Sequence, residues 1–142
     1  MSTQRGTGGG FGGGSGAGGG GGSSGSASRF TATGTTLVAG DFALSAGWGN
    51  TAAVSAVSGN DQSFTLTVTA NGTGIVANPT VTLTFKDGAW AAAPGGLAKM
   101  TGGTGAVADV TGVPGTTTWI MTFNDLPIAA DTYIISGMVM GR

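Results

Sequence analysis

The residues of this 142-residue chain with most chemical capacity are six aspartates: Asp41, Asp61, Asp87, Asp109, Asp125 and Asp131. They are its only acids, and the chain has no Glu, His or Cys. Two carboxylates facing each other across a groove could cleave a glycoside, or two could share a cation. An EF-hand is excluded, because its loop closes on a Glu. Each Asp sits in or beside a turn signal, where a short carboxylate bonds its own backbone, so turn chemistry is the default reading for all six. A Ser–Lys dyad through Lys86 or Lys99 is the other formal option. Lys86, in Lys86-Asp87-Gly88, reads instead as a charge that blunts the end of a strand. Without imidazole or thiol the commonest general base and the soft metal ligands are missing. The expectation is a non-enzymatic protein with no catalytic residue, no cofactor and no bound metal.

Hydroxyls supply a second pattern. Thr65, Thr67 and Thr69 alternate with Phe64, Leu66 and Val68; Thr80, Thr82 and Thr84 alternate with Val81, Leu83 and Phe85. Period-2 alternation puts one set on each face of a strand. If the two strands were neighbours, the six threonines would form a hydroxyl array suited to ice or to a sugar. The plainer reading is the solvent face of a half-buried sheet, where Thr is favoured. The apolar sets cannot be hidden by two strands alone, so a second sheet is required.

The elements that position these residues follow from the same periodicity. Strands are predicted near 36–39, 42–48, 52–57, 63–70, 79–85, 106–110, 117–123 and 132–139. Gly40-Asp41, Gly49-Asn50, Gly59-Asn60, Asp87-Gly88, Pro114-Gly115 and Asn124-Asp125 supply turns. Short strands at this spacing predict an all-β, single antiparallel β-sandwich, Ig-like or jelly-roll-like, over residues 29–142. Its expected core joins the two central strands to Trp119, Met121 and Phe123, to Tyr133 and Ile135, and to Trp48 and Trp90. The last strand is apolar on its other face too, at Ile134, Met138 and Met140. Such a strand is either central or covered by another subunit, which points to a homo-oligomer.

Residues 1–28 are different. They hold 14 glycines, with Phe11 the one large apolar side chain after Met1. Ordering a backbone residue costs about 1–2 kcal/mol, so ordering this arm would cost on the order of 30–50 kcal/mol with little to bury in return. It is read as an arm that orders only on assembly, with Phe11 as anchor and Arg5 and Arg29 as its cations. A plain spacer is the alternative. Gly8–Gly22 lacks the Lys and the preceding strand of a phosphate-binding loop.

Charge narrows the partners. Only 8% of residues are charged and the net charge is −1. Binding nucleic acid needs clustered Lys and Arg, whereas Arg5, Arg29, Lys86, Lys99 and Arg142 are scattered. No apolar run reaches the roughly 18 residues of a membrane span, and no secretory signal is visible. A cytoplasmically made protein is expected, with no nucleic-acid partner and no membrane insertion.

Four stretches carry a family resemblance: Phe42-Ala-Leu-Ser-Ala-Gly-Trp-Gly-Asn50, Val54-Ser-Ala-Val-Ser-Gly-Asn-Asp-Gln62, Ala77-Asn-Pro-Thr-Val-Thr-Leu-Thr-Phe-Lys-Asp-Gly-Ala-Trp90 and Met138-Val-Met-Gly-Arg142. In this order they resemble a β module of tailed-phage virion proteins, over about residues 34–142. The resemblance implies a structural virion protein assembled in the host cytoplasm. Its partners would be the major capsid protein or other virion subunits. A capsid decoration or head-fibre role suits a small domain with an arm. The alternative is a tail-fibre or receptor-binding subunit that recognises a host-surface glycan. The resemblance brings no catalytic residues with it.

Overall fold

The computed structural model describes residues 34–141. The arm, with Arg5, Phe11 and Arg29, lies outside the described residues, as do the first residues assigned to the domain and Arg142.

Eight strands are formed: β1 (Phe42–Leu44), β2 (Ala53–Asn60), β3 (Ser63–Thr69), β4 (Thr80–Thr84), β5 (Gly95–Gly103), β6 (Val110–Thr111), β7 (Thr118–Phe123) and β8 (Thr132–Met140). They make two four-stranded antiparallel sheets, ordered β1-β4-β7-β6 and β2-β3-β8-β5. The fold is a β-sandwich, as the alternation required. Only β2–β3 and β6–β7 are neighbours both in sequence and in a sheet. The other connections cross over, so the sheets are interleaved along the chain.

Alternation sets the two faces. Phe64, Leu66 and Val68 of β3 and Tyr133, Ile135 and Val139 of β8 point inward from one sheet. Val81 and Leu83 of β4 and Trp119, Met121 and Phe123 of β7 point inward from the other. Aromatic rings bridge the layers: Trp48 lies 5.1 Å from Phe123 and 5.5 Å from Tyr133, and Phe64 lies 5.9 Å from Trp119. Such tilted and edge-on pairs add to the area they bury. The polar ends of two of these rings are satisfied. Trp48 Nε1 donates to the Thr80 carbonyl at 3.0 Å, and Tyr133 Oη accepts from the Ile128 N–H at 2.8 Å.

Three sequence expectations are corrected. Residues 36–39 do not pair as a strand; Leu37 is buried, and a 3-10 turn, Ala39–Asp41, follows at once. The 42–48 run is a strand only to Leu44, because a second 3-10 turn, Ala46–Trp48, swings Trp48 into the core. Of the expected strand 106–110 only Val110 is paired, in the two-residue β6, while the nine-residue β5 had no sequence signal. Its stretch Gly-Gly-Leu-Ala-Lys-Met-Thr-Gly-Gly alternates with a small residue, Ala98, at one of its inward positions, and a bulge between Met100 and Gly102 breaks the period.

Candidate functional site

The two threonine rows do not meet. β3 and β4 lie in different sheets, so Thr65, Thr67 and Thr69 cover one outer face and Thr80, Thr82 and Thr84 cover the other. The alternation holds, and the adjacency that a single array would need is not met. The two apolar faces are buried against each other across the core, which turns the threonines outward in opposite directions. The connection through residues 70–79 crosses between layers instead of closing a hairpin. β4 finds other hydroxyls: Thr80 is opposite Thr122 and Thr84 opposite Thr118, with Ile120 opposite Thr82. On the β3 side Thr65 Oγ1 is already bonded to Ser136 Oγ at 3.0 Å.

The outer face of the β2-β3-β8-β5 sheet carries the interface residues expected from sequence. β8 is central there, between β3 and β5. Its inward residues alternate with Thr132, Ile134, Ser136, Met138 and Met140 on the outside. Met138 is directly opposite Leu97 of β5, and Met140 is opposite Gly95. Leu97 is 63% exposed, Met140 56% and Met138 42%, so this end of the face is an apolar patch open to solvent. Ile134 is half-buried and set apart from the patch by a hydroxyl row, in which Ser136 Oγ meets both Thr65 Oγ1 and Thr101 Oγ1 at 3.0 and 3.1 Å. Leu97 was missed because β5 was missed.

A cleft opens at one end of the sandwich. Its volume is about 310 Å³, and Asp61, Gln62, Asp87, Gly88, Ala89 and Trp90 line it. The β2–β3 turn supplies Asp61 and Gln62, and the segment after β4 supplies the rest. Asp61 Oδ2 accepts the Asp87 N–H at 2.7 Å. Both Asp87 oxygens accept the Thr35 N–H, at 3.1 and 3.0 Å. Those hydrogen bonds from Thr35 hold the Asp87 carboxyl below its ordinary value of 3.8. Trp90 packs edge-on against Phe85 at 5.9 Å and is half-buried. It therefore reaches the cleft, whereas Trp48 is wholly core.

Of the acids, Asp41 and Asp125 show the turn chemistry expected, whereas Asp61, Asp87 and Asp131 bond groups distant in the chain. Asp41 Oδ2 accepts the Val38 N–H at 2.7 Å, and Asp125 Oδ1 accepts the Leu126 N–H at 2.7 Å. Asp131 Oδ1 accepts the Thr104 hydroxyl at 3.2 Å. Asp61 is instead 4% exposed and bonds 26 residues away. The two lysines of the Ser–Lys option are otherwise placed. Lys86 Nζ is engaged by Asp41 Oδ2 at 3.2 Å and by the Thr36 carbonyl at 3.1 Å. Lys99 stands opposite Ser136 in register, yet that hydroxyl is bonded to Thr65 and Thr101. No helix among the described residues is long and apolar enough to cross a membrane.

No protein-family profile matches the sequence, and no curated protein and no solved structure matches it.

Proposed function

We propose that this protein is a non-enzymatic structural subunit of a tailed-phage particle, of the capsid-decoration or head-fibre kind, attached through subunit contacts. The observation that carries the reading is the solvent-open patch of Leu97, Met138 and Met140 on the outer face of the β2-β3-β8-β5 sheet. Contiguous apolar surface on a small domain marks a contact surface more often than scattered apolar side chains do. The low charge supports dense association, since copies at net charge −1 repel one another weakly. The virion context comes from the sequence resemblance. Host-glycan recognition has less behind it: the threonine rows are split between two faces, and Trp90 is the one tryptophan that lines the end cleft among the described residues.

Location on purified particles tests the proposal. Antibody or density labelling of the domain is expected over the head shell; label confined to the tail tip would overturn the head assignment. At the level of the patch, Leu97→Lys combined with Met138→Lys is expected to lower binding to particles at least tenfold. Its melting temperature stays at the wild-type value, because both side chains are exposed. Unchanged binding would remove the patch from the proposal.

A further inference from the structure

We propose that the end cleft binds a divalent cation of the calcium class, held by the carboxylates of Asp61 and Asp87. This inference is independent of the virion reading. One buried oxygen has no hydrogen bond in the fold. Asp61 is almost wholly buried, only 4% exposed. Its Oδ2 takes the Asp87 N–H, while its Oδ1, also buried, has no hydrogen-bond donor. A buried carboxylate oxygen without donor or counter-charge is costly. A second carboxylate, Asp87, lines the same cleft.

Among the described cations Lys86 acts on Asp87 through its charge, but none bonds Asp61 Oδ1. Lys86 is directed to Asp41 and the Thr36 carbonyl, and Lys99 lies on the outer face of β5. Neither lines the cleft. Gln62, Gly88 and Ala89 line the cleft with the two carboxylates, and the chain holds no imidazole or thiolate, so any ligand set here is oxygen. Hard oxygen donors in flexible number suit Ca²⁺; Mg²⁺ demands stricter octahedral geometry and keeps more of its waters. Two carboxylates are a modest charge count. The affinity expected is that of weak calcium sites, with Kd about 10⁻⁴–10⁻³ M.

The site would also fasten three separate pieces of chain. Asp61 belongs to the β2–β3 turn, Asp87 follows β4, and Thr35, bonded to Asp87, is at the start of the described domain. A cation on the two carboxylates joins the first two directly and stiffens the acceptor of the third.

The full chain can be tested with calcium itself and with terbium, whose emission is sensitised by a nearby tryptophan. CaCl₂ is expected to raise the melting temperature by several degrees, saturably, half-complete in the millimolar to sub-millimolar range. Terbium should show emission excited through tryptophan that calcium displaces. Trp90→Phe should cut that emission at least fivefold while preserving the calcium-induced shift, because Trp90 lines the cleft and Trp48 and Trp119 are core. Asp61→Asn should abolish both signals. If that variant does not fold, Asp87→Asn at the exposed carboxylate should weaken calcium binding at least tenfold. The proposal is overturned if calcium leaves the melting temperature unchanged up to 10 mM, on the order of ten times the weakest Kd expected. It is overturned equally if Asp87→Asn and wild type bind calcium alike, which would leave a buried water as the partner of Asp61 Oδ1.

Discussion

Gly137 shows how much one atom decides in this core. It occupies an inward position of β8, and a Cβ there would run into the Phe64 ring, itself pinned between Phe42 and Trp119. Overpacking of this kind costs about 1–3 kcal/mol. Gly137→Ala is therefore expected to lower stability by that amount in urea unfolding, while Gly40→Ala, with open space around its Cβ, should change it by less than about 0.5 kcal/mol. The carboxylate of Asp87 makes a pH-dependent contribution of known sign. Its folded value is depressed by the hydrogen bonds from Thr35, so the tie stabilises fully above the unfolded value near 3.8. It is lost as pH falls through the lower, folded value. Melting curves in chelator should show wild type more stable than Asp87→Ala at pH 6, with the gap narrowing below about pH 4. A gap that widens on acidification would contradict the assignment. The buried role of Asp61 was not legible in sequence, because turn position alone cannot show that a turn folds back under another loop.

At the scale of elements, the strands with strong alternation, β3, β4, β7 and β8, were legible to within a residue or two. Their large inward residues left no other face to bury. β5 was hidden because it packs with Ala98 and Met100 beside glycines, and its pairing is supplied by β8 rather than by any local pattern. It is also an edge strand, as is β2, and both carry a bulge. In β2 the bulge puts Ala56 at φ 47, a left-handed conformation that disfavours any residue with a Cβ. Bulges and a lysine on an edge are devices that discourage uncontrolled strand pairing. Removing the edge charge with Lys99→Val is expected to increase soluble aggregate in light scattering at constant thermal stability. No change in scattering would mean that the bulge alone protects the edge.

For the whole molecule, weak charge and an exposed apolar patch set how association should respond to salt. Contacts between Leu97, Met138 and Met140 and a partner surface are not charge-driven. Binding to particles should therefore change less than about threefold between 0.05 and 0.5 M NaCl, a range over which charge–charge attraction is strongly screened. A steep loss with salt would assign attachment to charged groups instead. The glycine arm gives a separate outcome. Deleting residues 2–28 removes only one large apolar side chain, Phe11, so the melting temperature of the domain is expected to hold. Co-assembly with particles should fall if the arm is an anchor; unaltered incorporation would make it a spacer.

By itself the sequence determined the class of fold: period-2 alternation of Phe, Leu, Val and Trp with threonine can bury its apolar half only between two layers. It also determined which groups are missing, since a chain without His, Cys or Glu offers no imidazole and no thiolate. Tertiary structure alone decided which strands are neighbours. That choice separated Thr65, Thr67 and Thr69 from Thr80, Thr82 and Thr84, set Leu97 beside Met138, and brought Asp61 and Asp87 to one cleft. Pairing of this kind depends on contacts between residues distant in the chain, and on inward volumes that must fill one shared core. No local stretch of sequence carries that information.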